Sequence, residues 1–316
     1  MNKWKQKAVL VTLLLSFILS CNMVFAAEPS AGVSILKYDR PAGLQALPRN
    51  FRTAQSPFKE LTQEQVIPSR AGLENLRLSG SSYFSENEFR EMLKQLPKTD
   101  LMILDLRAES HGYLNENGVS WYTAYKAANR GLSAKQVDLL EKEALSAVVH
   151  KMVPVAILQE DKSIASQNSL QVDQVMTEKE FIEAQGVKYY RIPVADYDAP
   201  SDANVDQFLK FYKKLPANTW IHAHCEAGEG RTTTFMSMLD MLHNAKNISY
   251  DEIMTRQVLL GGQDLRSATS KDPVKKEGYS RRAQFTEHFY NYVKANPELT
   301  KSWSQWAKEQ GYSNMK

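Results

Sequence analysis

The stretch His224-Cys225-Glu226-Ala227-Gly228-Glu229-Gly230-Arg231-Thr232 carries the strongest chemical signal in the chain. It lies between a short apolar run and a strongly apolar segment with helical periodicity, so it reads as a strand–turn–helix junction. Such a turn points backbone N–H groups inward at the positive end of a helix dipole, which makes an anion site. The amides of Glu226, Ala227, Gly228, Glu229 and Gly230 are its candidate substrate-binding groups. Gly228 and Gly230 let the backbone come close to a phosphate, and the Arg231 guanidinium can hold two phosphate oxygens. The same field favours ionisation of a thiol at its focus, so Cys225 is expected to be a thiolate nucleophile facing bound phosphorus. Thr232 can donate its hydroxyl to the sulfur and help it leave. His224 orders the loop by hydrogen bonding or simply ends the strand, and neither role makes it a base. A chance match would need two glycines at fixed places, roughly one in 200 at ~7% usage each, before Cys225, Arg231 and the element context are counted.

Expelling an alkoxide from phosphorus needs a proton donor. The candidates lie in Ala195-Asp196-Tyr197-Asp198-Ala199-Pro200, after an apolar run at Tyr189–Val194. A loop at a strand's carboxyl end is a suitable place for a movable acid. Local chemistry leaves Asp196 and Asp198 open. Asp202 suits the first turn of a following helix.

These residues need a framework, and the pattern supplies one. Capping boxes at Ser85/Glu88, Ser133/Gln136 and Thr177/Glu180 predict helices over 86–96, from 133 to about 151, and briefly after 177. Further helices are expected over 201–214, 231–243, 250–260 and 280–295. Strands are expected at Leu101–Leu106, Val153–Leu158, Tyr189–Val194 and Thr219–His224. Helices alternating with buried strands predict an α/β fold with a central, mainly parallel sheet flanked by helices.

The 316 residues are 43% hydrophobic and 24% charged, an ordinary globular composition that excludes collagen, low-complexity and disulfide-stapled classes. The net charge of +3 comes entirely from Lys3, Lys5 and Lys7, so the rest of the chain is neutral and no nucleic-acid partner is indicated. Those lysines, the apolar run Ala8–Ser20 and Val24-Phe25-Ala26 have the layout of a signal peptide over 1–26, too short to favour a membrane span. Export to the periplasm or medium follows, with lipidation at Cys21 as a lesser alternative. Cleavage after Ala26 leaves Cys225 as the one thiol, which cannot form an internal disulfide. The His residues show no ligand spacing with Cys or carboxylates, and neither metal nor cofactor is expected.

The loop resembles the His-Cys-x5-Arg-Ser/Thr signature of the protein tyrosine phosphatase superfamily. More narrowly, residues 224–233 are similar to the loop of the protein tyrosine phosphatase-like inositol polyphosphate phosphatases, or cysteine phytases. Leu47-Pro48-Arg49-Asn50-Phe51-Arg52, the run Asp105 to Asn115, and Val119-Ser120-Trp121-Tyr122 resemble other elements of that family, so the likeness covers about 45–296. It implies a small partial β-barrel beside the main sheet, drawn from parts of 30–60 and 113–180. A leader over 27–44, a phosphatase domain over 45–300 and a tail over 301–316 complete this organisation. It implies hydrolysis of phosphomonoesters of inositol polyphosphates through a phosphocysteine, with Asp196, which stands 29 residues before Cys225, as the proton donor. Such a substrate needs cations beyond Arg231. The densest basic run is 271–282, where Lys275 and Arg282 match the family's substrate-binding positions. Arg52 matches the arginine of the N-terminal element, and Lys162 is a further candidate. The chain departs from the family pattern at Glu229, an acid at the variable loop position, and at Lys126, where an acidic or polar residue is expected. The alternatives are an exported protein tyrosine phosphatase and a non-catalytic polyanion-binding module.

Overall fold

The computed structural model describes residues 34–60, 66–97 and 100–312. The expected signal peptide, with Cys21, lies outside them. In chain order the elements are β1 (Ile35–Arg40), β2 (Arg52–Thr53), β3 (Leu78–Ser82), α1 (Glu86–Leu93), β4 (Leu101–Arg107), β5 (His111–Leu114) and β6 (Asn117–Tyr122). A single 3-10 turn, Ala124–Lys126, precedes α2 (Ala134–Ser146), β7 (Met152–Leu158), β8 (Ile164–Gln171), β9 (Val175–Met176) and α3 (Glu178–Ala184). The chain continues through β10 (Lys188–Val194), α4 (Asp202–Lys214), β11 (Trp220–Cys225), α5 (Gly230–Asn244), α6 (Tyr250–Leu259), α7 (Pro273–Ala295) and α8 (Trp303–Glu309).

The central sheet runs β10-β4-β11-β3-β2. Its first four strands are parallel and β2 is an antiparallel edge, so the expected mainly parallel α/β sheet is present. Strand β11 is inserted between two strands that precede it in sequence, which puts Cys225 at the carboxyl end of a central strand. The second sheet, β8-β7-β1-β6-β5-β9, is antiparallel except where β1 meets β7. It is the counterpart of the expected partial barrel, and it remains open among the described residues.

The three capping boxes read from sequence close as hydrogen-bond pairs at Ser85/Glu88, Ser133/Gln136 and Thr177/Glu180. Helix α2 stops at Ser146 instead of about 151, because His150 turns left-handed (φ +59°) and donates its N–H to Val172 O. Helix α7 begins seven residues before its expected start. Asp272 caps it by accepting from the Val274 and Lys275 amides, and Pro273 occupies its first turn. The basic run 271–282 is thereby made helical.

Helix α5 is buried from Arg231 to Met241 and packs against β3, β11, α6 and α7. The main core gathers Leu104, Leu106, Ile192, Phe208, Phe235, Phe285 and Trp303 around it. Trp303 sits at the start of α8, within the segment assigned as a tail, and its indole N–H donates to Asp202 at 2.7 Å.

Candidate active site

Strand β11 ends on Cys225, and α5 starts five residues later. The turn between them is held from outside by its carbonyls. Glu226 O accepts from the Tyr83 amide at 3.1 Å, Ala227 O from Asn50 Nδ2 at 2.9 Å, and Gly228 O from Arg52 Nη1 at 2.9 Å. In a planar trans peptide the following N–H points the opposite way, so the amides of Ala227, Gly228 and Glu229 face inward. Gly228 makes this possible: its φ is +75°, and a Cβ there would stand 2.4 Å from the backbone of Ser81 and Ser82. Cys225, 3% exposed, sits at the base of the cup, and its Sγ accepts from Thr232 Oγ1 at 3.2 Å.

Arg231, the second residue of α5, is buried and forked on Glu109, with Nη1–Oε2 at 2.7 Å and Nη2–Oε1 at 3.0 Å. Its Nε lies 3.3 Å from Asp196 Oδ1. Burial disfavours the guanidinium charge, but Asp196 and Glu109 outweigh it and raise its proton affinity. Burial likewise favours a neutral Glu109, yet Arg231 and Arg107 hold it well below the usual carboxylate range. Sequence reasoning gives Glu109 no role. A carboxylate is the best bidentate partner for a buried guanidinium, and the acid of Arg107-Ala108-Glu109 is the signal that could have found it.

The three candidate acids separate. Asp196 lines the cleft. Asp198 is clasped by Arg281 from α7, with Nε–Oδ1 at 2.8 Å and Nη2–Oδ2 at 2.7 Å, and by Arg130 at 3.2 Å. Asp202 is occupied by the Trp303 indole. The acid loop and α7 meet backbone to backbone at Gly278, where a Cβ would fall 2.2 Å from Tyr197 O.

The cleft has a volume of about 630 Å³. Lys37, Arg49, Lys126, Lys162, Lys275 and Arg282 line it in addition to Arg231. Arg282 lies against Gly230, donates Nε to Asp198 O at 3.1 Å, and keeps Nη2 buried without a partner. Lys275 Nζ stands 4.8 Å from the Tyr197 ring centroid. Lys162, in the β7–β8 turn, has its proton affinity lowered by burial and by Lys126, Lys37 and Lys275, with Glu226 opposing. Glu229 is exposed at the rim.

Arg52 requires a correction. It is 2% exposed and absent from the cleft wall. Its guanidinium lies behind the turn, on Asn50 O, Gly228 O and Thr233 Oγ1. Strand β2 pairs with β3 outside the turn, so the side chain braces the cup from the far side. His224 also sits behind the cup, fully buried, with Nε2 2.8 Å from Glu178 Oε1. Asp105, Glu178 and His224 bring ligand atoms within 4.8 Å of one another. Arg191 Nε at 3.0 Å from Asp105 and His111 Nε2 at 2.8 Å from Glu178 already engage them, so the group is part of a hydrogen-bond and ion-pair network behind the strand end.

A family model for PTP-like phytases, described by the words inositol hexakisphosphate, matches residues 104–243. A PTP-like phytase from Bdellovibrio bacteriovorus is 32% identical, with a TM-score of 0.69, over 90% of this chain and 98% of its own. The chain belongs to this family. The PTP-like myo-inositol phosphatase of Mitsuokella multacida, solved with myo-inositol-(1,3,4,5)-tetrakisphosphate, is 38% identical to this chain, with a TM-score of 0.85 over 90% of it. The HopD2 effector protein of Pseudomonas syringae pv. tomato is 31% identical over 81% of it. The chain spans about half of those two longer relatives, 49% and 56% respectively.

Proposed function

We propose that the protein is a cysteine-dependent phosphatase that removes phosphate stepwise from myo-inositol polyphosphates. The observation that carries this reading is the placement of the Cys225 sulfur under an inward-facing amide cup, at the floor of a cleft lined by seven cationic side chains. A phosphotyrosine pocket needs depth and an aromatic wall. Cations from several sides of a broad cleft suit a substrate with many phosphates.

The Cys225 thiolate attacks phosphorus in line. The loop amides and the Nε edge of Arg231 stabilise charge on the equatorial oxygens. Glu109 keeps the Arg231 fork aimed, and Asp196 protonates the departing inositol oxygen. Water then cleaves the phosphocysteine with Asp196 as base, and Thr232 supplies a hydrogen bond to the leaving sulfur. Lys162, Lys275 and Arg282 hold the phosphates that are not being cleaved. Residues 1–26 direct export, to the periplasm or the medium. Among the described residues, no helix is long and apolar enough to cross a membrane.

The test is phosphate release from inositol hexakisphosphate, in chelator, beside a phosphotyrosine peptide. Cys225→Ser is expected to abolish turnover while binding persists. Full turnover by that variant would remove the mechanism. A preference of about a thousandfold for the peptide, ~4 kcal/mol at the transition state, would replace the substrate.

A further inference from the structure

We infer that Lys126 is a latch on the proton donor, opened by a second phosphate of the substrate; the inference rests on the reading of the site just given. Lys126 is buried at the cleft wall. Its ammonium stands 2.5 Å from Asp196 Oδ2 on the acid loop and also contacts Glu226 of the phosphate loop. One cation thus ties the proton donor to the turn that holds the nucleophile. The backbone is committed to this placement. Tyr125 and Lys126 are both left-handed, at φ +54° and +51°, a backbone region unfavourable for residues with a Cβ. Strain of this kind persists where the surrounding structure dictates it, and it is concentrated at functional sites.

An acid that must donate a proton is disabled by a cation at this distance. The charged and titratable groups around Asp196 are Arg231 from α5, Arg282 and Tyr279 from α7, Lys126, Glu109, and its neighbour Tyr197. Burial favours the neutral acid, but Arg231 and Lys126 outweigh it and hold Asp196 below the ordinary aspartate range. Both cations are phosphate ligands by chemistry. A scissile phosphate takes the Nε edge of Arg231, and a phosphate on a neighbouring ring carbon takes Lys126. Asp196 then loses two counter-charges, gains two anionic neighbours, and binds a proton from solvent. As the S–P bond forms and the P–O bond breaks, that proton passes to the departing oxygen. A monoester supplies only the first phosphate. Lys126 therefore makes donor competence depend on how many phosphates the substrate carries, which is discrimination in turnover as well as in binding.

The experiment compares wild type, Lys126→Met and Lys126→Gln by kcat/KM against pH on inositol monophosphate, inositol hexakisphosphate and p-nitrophenyl phosphate. The aryl ester needs no acid and serves as control. The two variants are expected to move the alkaline limb for inositol monophosphate upward by about one pH unit, leave the aryl limb in place, and cut the preference for the hexakisphosphate about tenfold. An unmoved monophosphate limb with a raised KM for the hexakisphosphate would reduce Lys126 to a phosphate ligand and overturn the latch. Equal losses on all three substrates would make Lys126 a structural residue and would overturn the latch as well. Wild-type enzyme that turns over the aryl ester but neither inositol phosphate would remove the substrate reading and the latch with it.

Discussion

Gly278→Ala tests how α7 seats Asp196, the proposed proton donor. Gly278 lies inside α7, away from the sulfur, and a Cβ there would fall 2.2 Å from Tyr197 O and 3.1 Å from its carbonyl carbon. Real contacts are not shorter than 3.0 Å, and ordinary ones begin at 3.4 Å, so helix and acid loop must part by roughly 1 Å. A displacement of that size can cost about a hundredfold in the step it serves. The helix itself gains ~1 kcal/mol from Ala over Gly, against ~1–3 kcal/mol of overpacking. The variant should therefore stay folded with a modest change in melting temperature. The assay is kcat/KM, which covers only the steps up to the phosphocysteine, on inositol hexakisphosphate beside p-nitrophenyl phosphate, whose phenolate leaves without help. A fall of about a hundredfold on the first and less than about threefold on the second is expected. Equal losses would mean that the strain spreads into the phosphate loop. No loss would mean that the loop yields freely, and that its seat on α7 does not place Asp196.

Glu109→Gln removes the charge that forks Arg231, and should lower kcat/KM by about a hundredfold or more; activity within threefold of wild type would show that Arg231 needs no such partner. Glu141 accepts from the His111 amide and Arg191, yet burial outweighs Arg191 and raises its carboxyl from 4.5 to about 7. A raised folded-state value adds stability that is complete below the unfolded value and lost as pH rises through the folded one. Wild type should therefore lose urea resistance from pH 4.5 to 7 relative to Glu141→Gln, and parallel profiles would contradict the burial argument.

The phosphate loop is legible in the sequence because its chemistry requires particular residues at fixed spacing. The loop's supports are not. Strand β3, Leu-Ser-Gly-Ser-Ser, looks like a polar linker, yet it is buried throughout because it pairs between β11 and β2. Its apolar surroundings come from neighbours, which no local pattern encodes. Arg52 and Arg282 are both arginines within reach of the turn, but one braces it from behind while the other lies over Gly230, and only the sheet order separates them. Asp198 and Asp196 are two residues apart with the same side chain. The difference arises from Arg281 and Arg130, distant in sequence. The start of α7 is readable from Asp272-Pro273, a cap followed by a first-turn proline; the weight of charge in 271–282 hides it.

The position of β11 has a kinetic side. It slots between β3 and β4, which leave the ribosome long before it, and its pairing on both flanks is long-range. Such pairings are slow to form, because the intervening chain must first be closed into a loop. Until they do, Tyr83, Asn50 and Arg52 have no turn to grip, and the sulfur stands outside any amide cup. On the proposed mechanism, a chain in which β11 has yet to seat carries the nucleophile's sulfur without the means to use it.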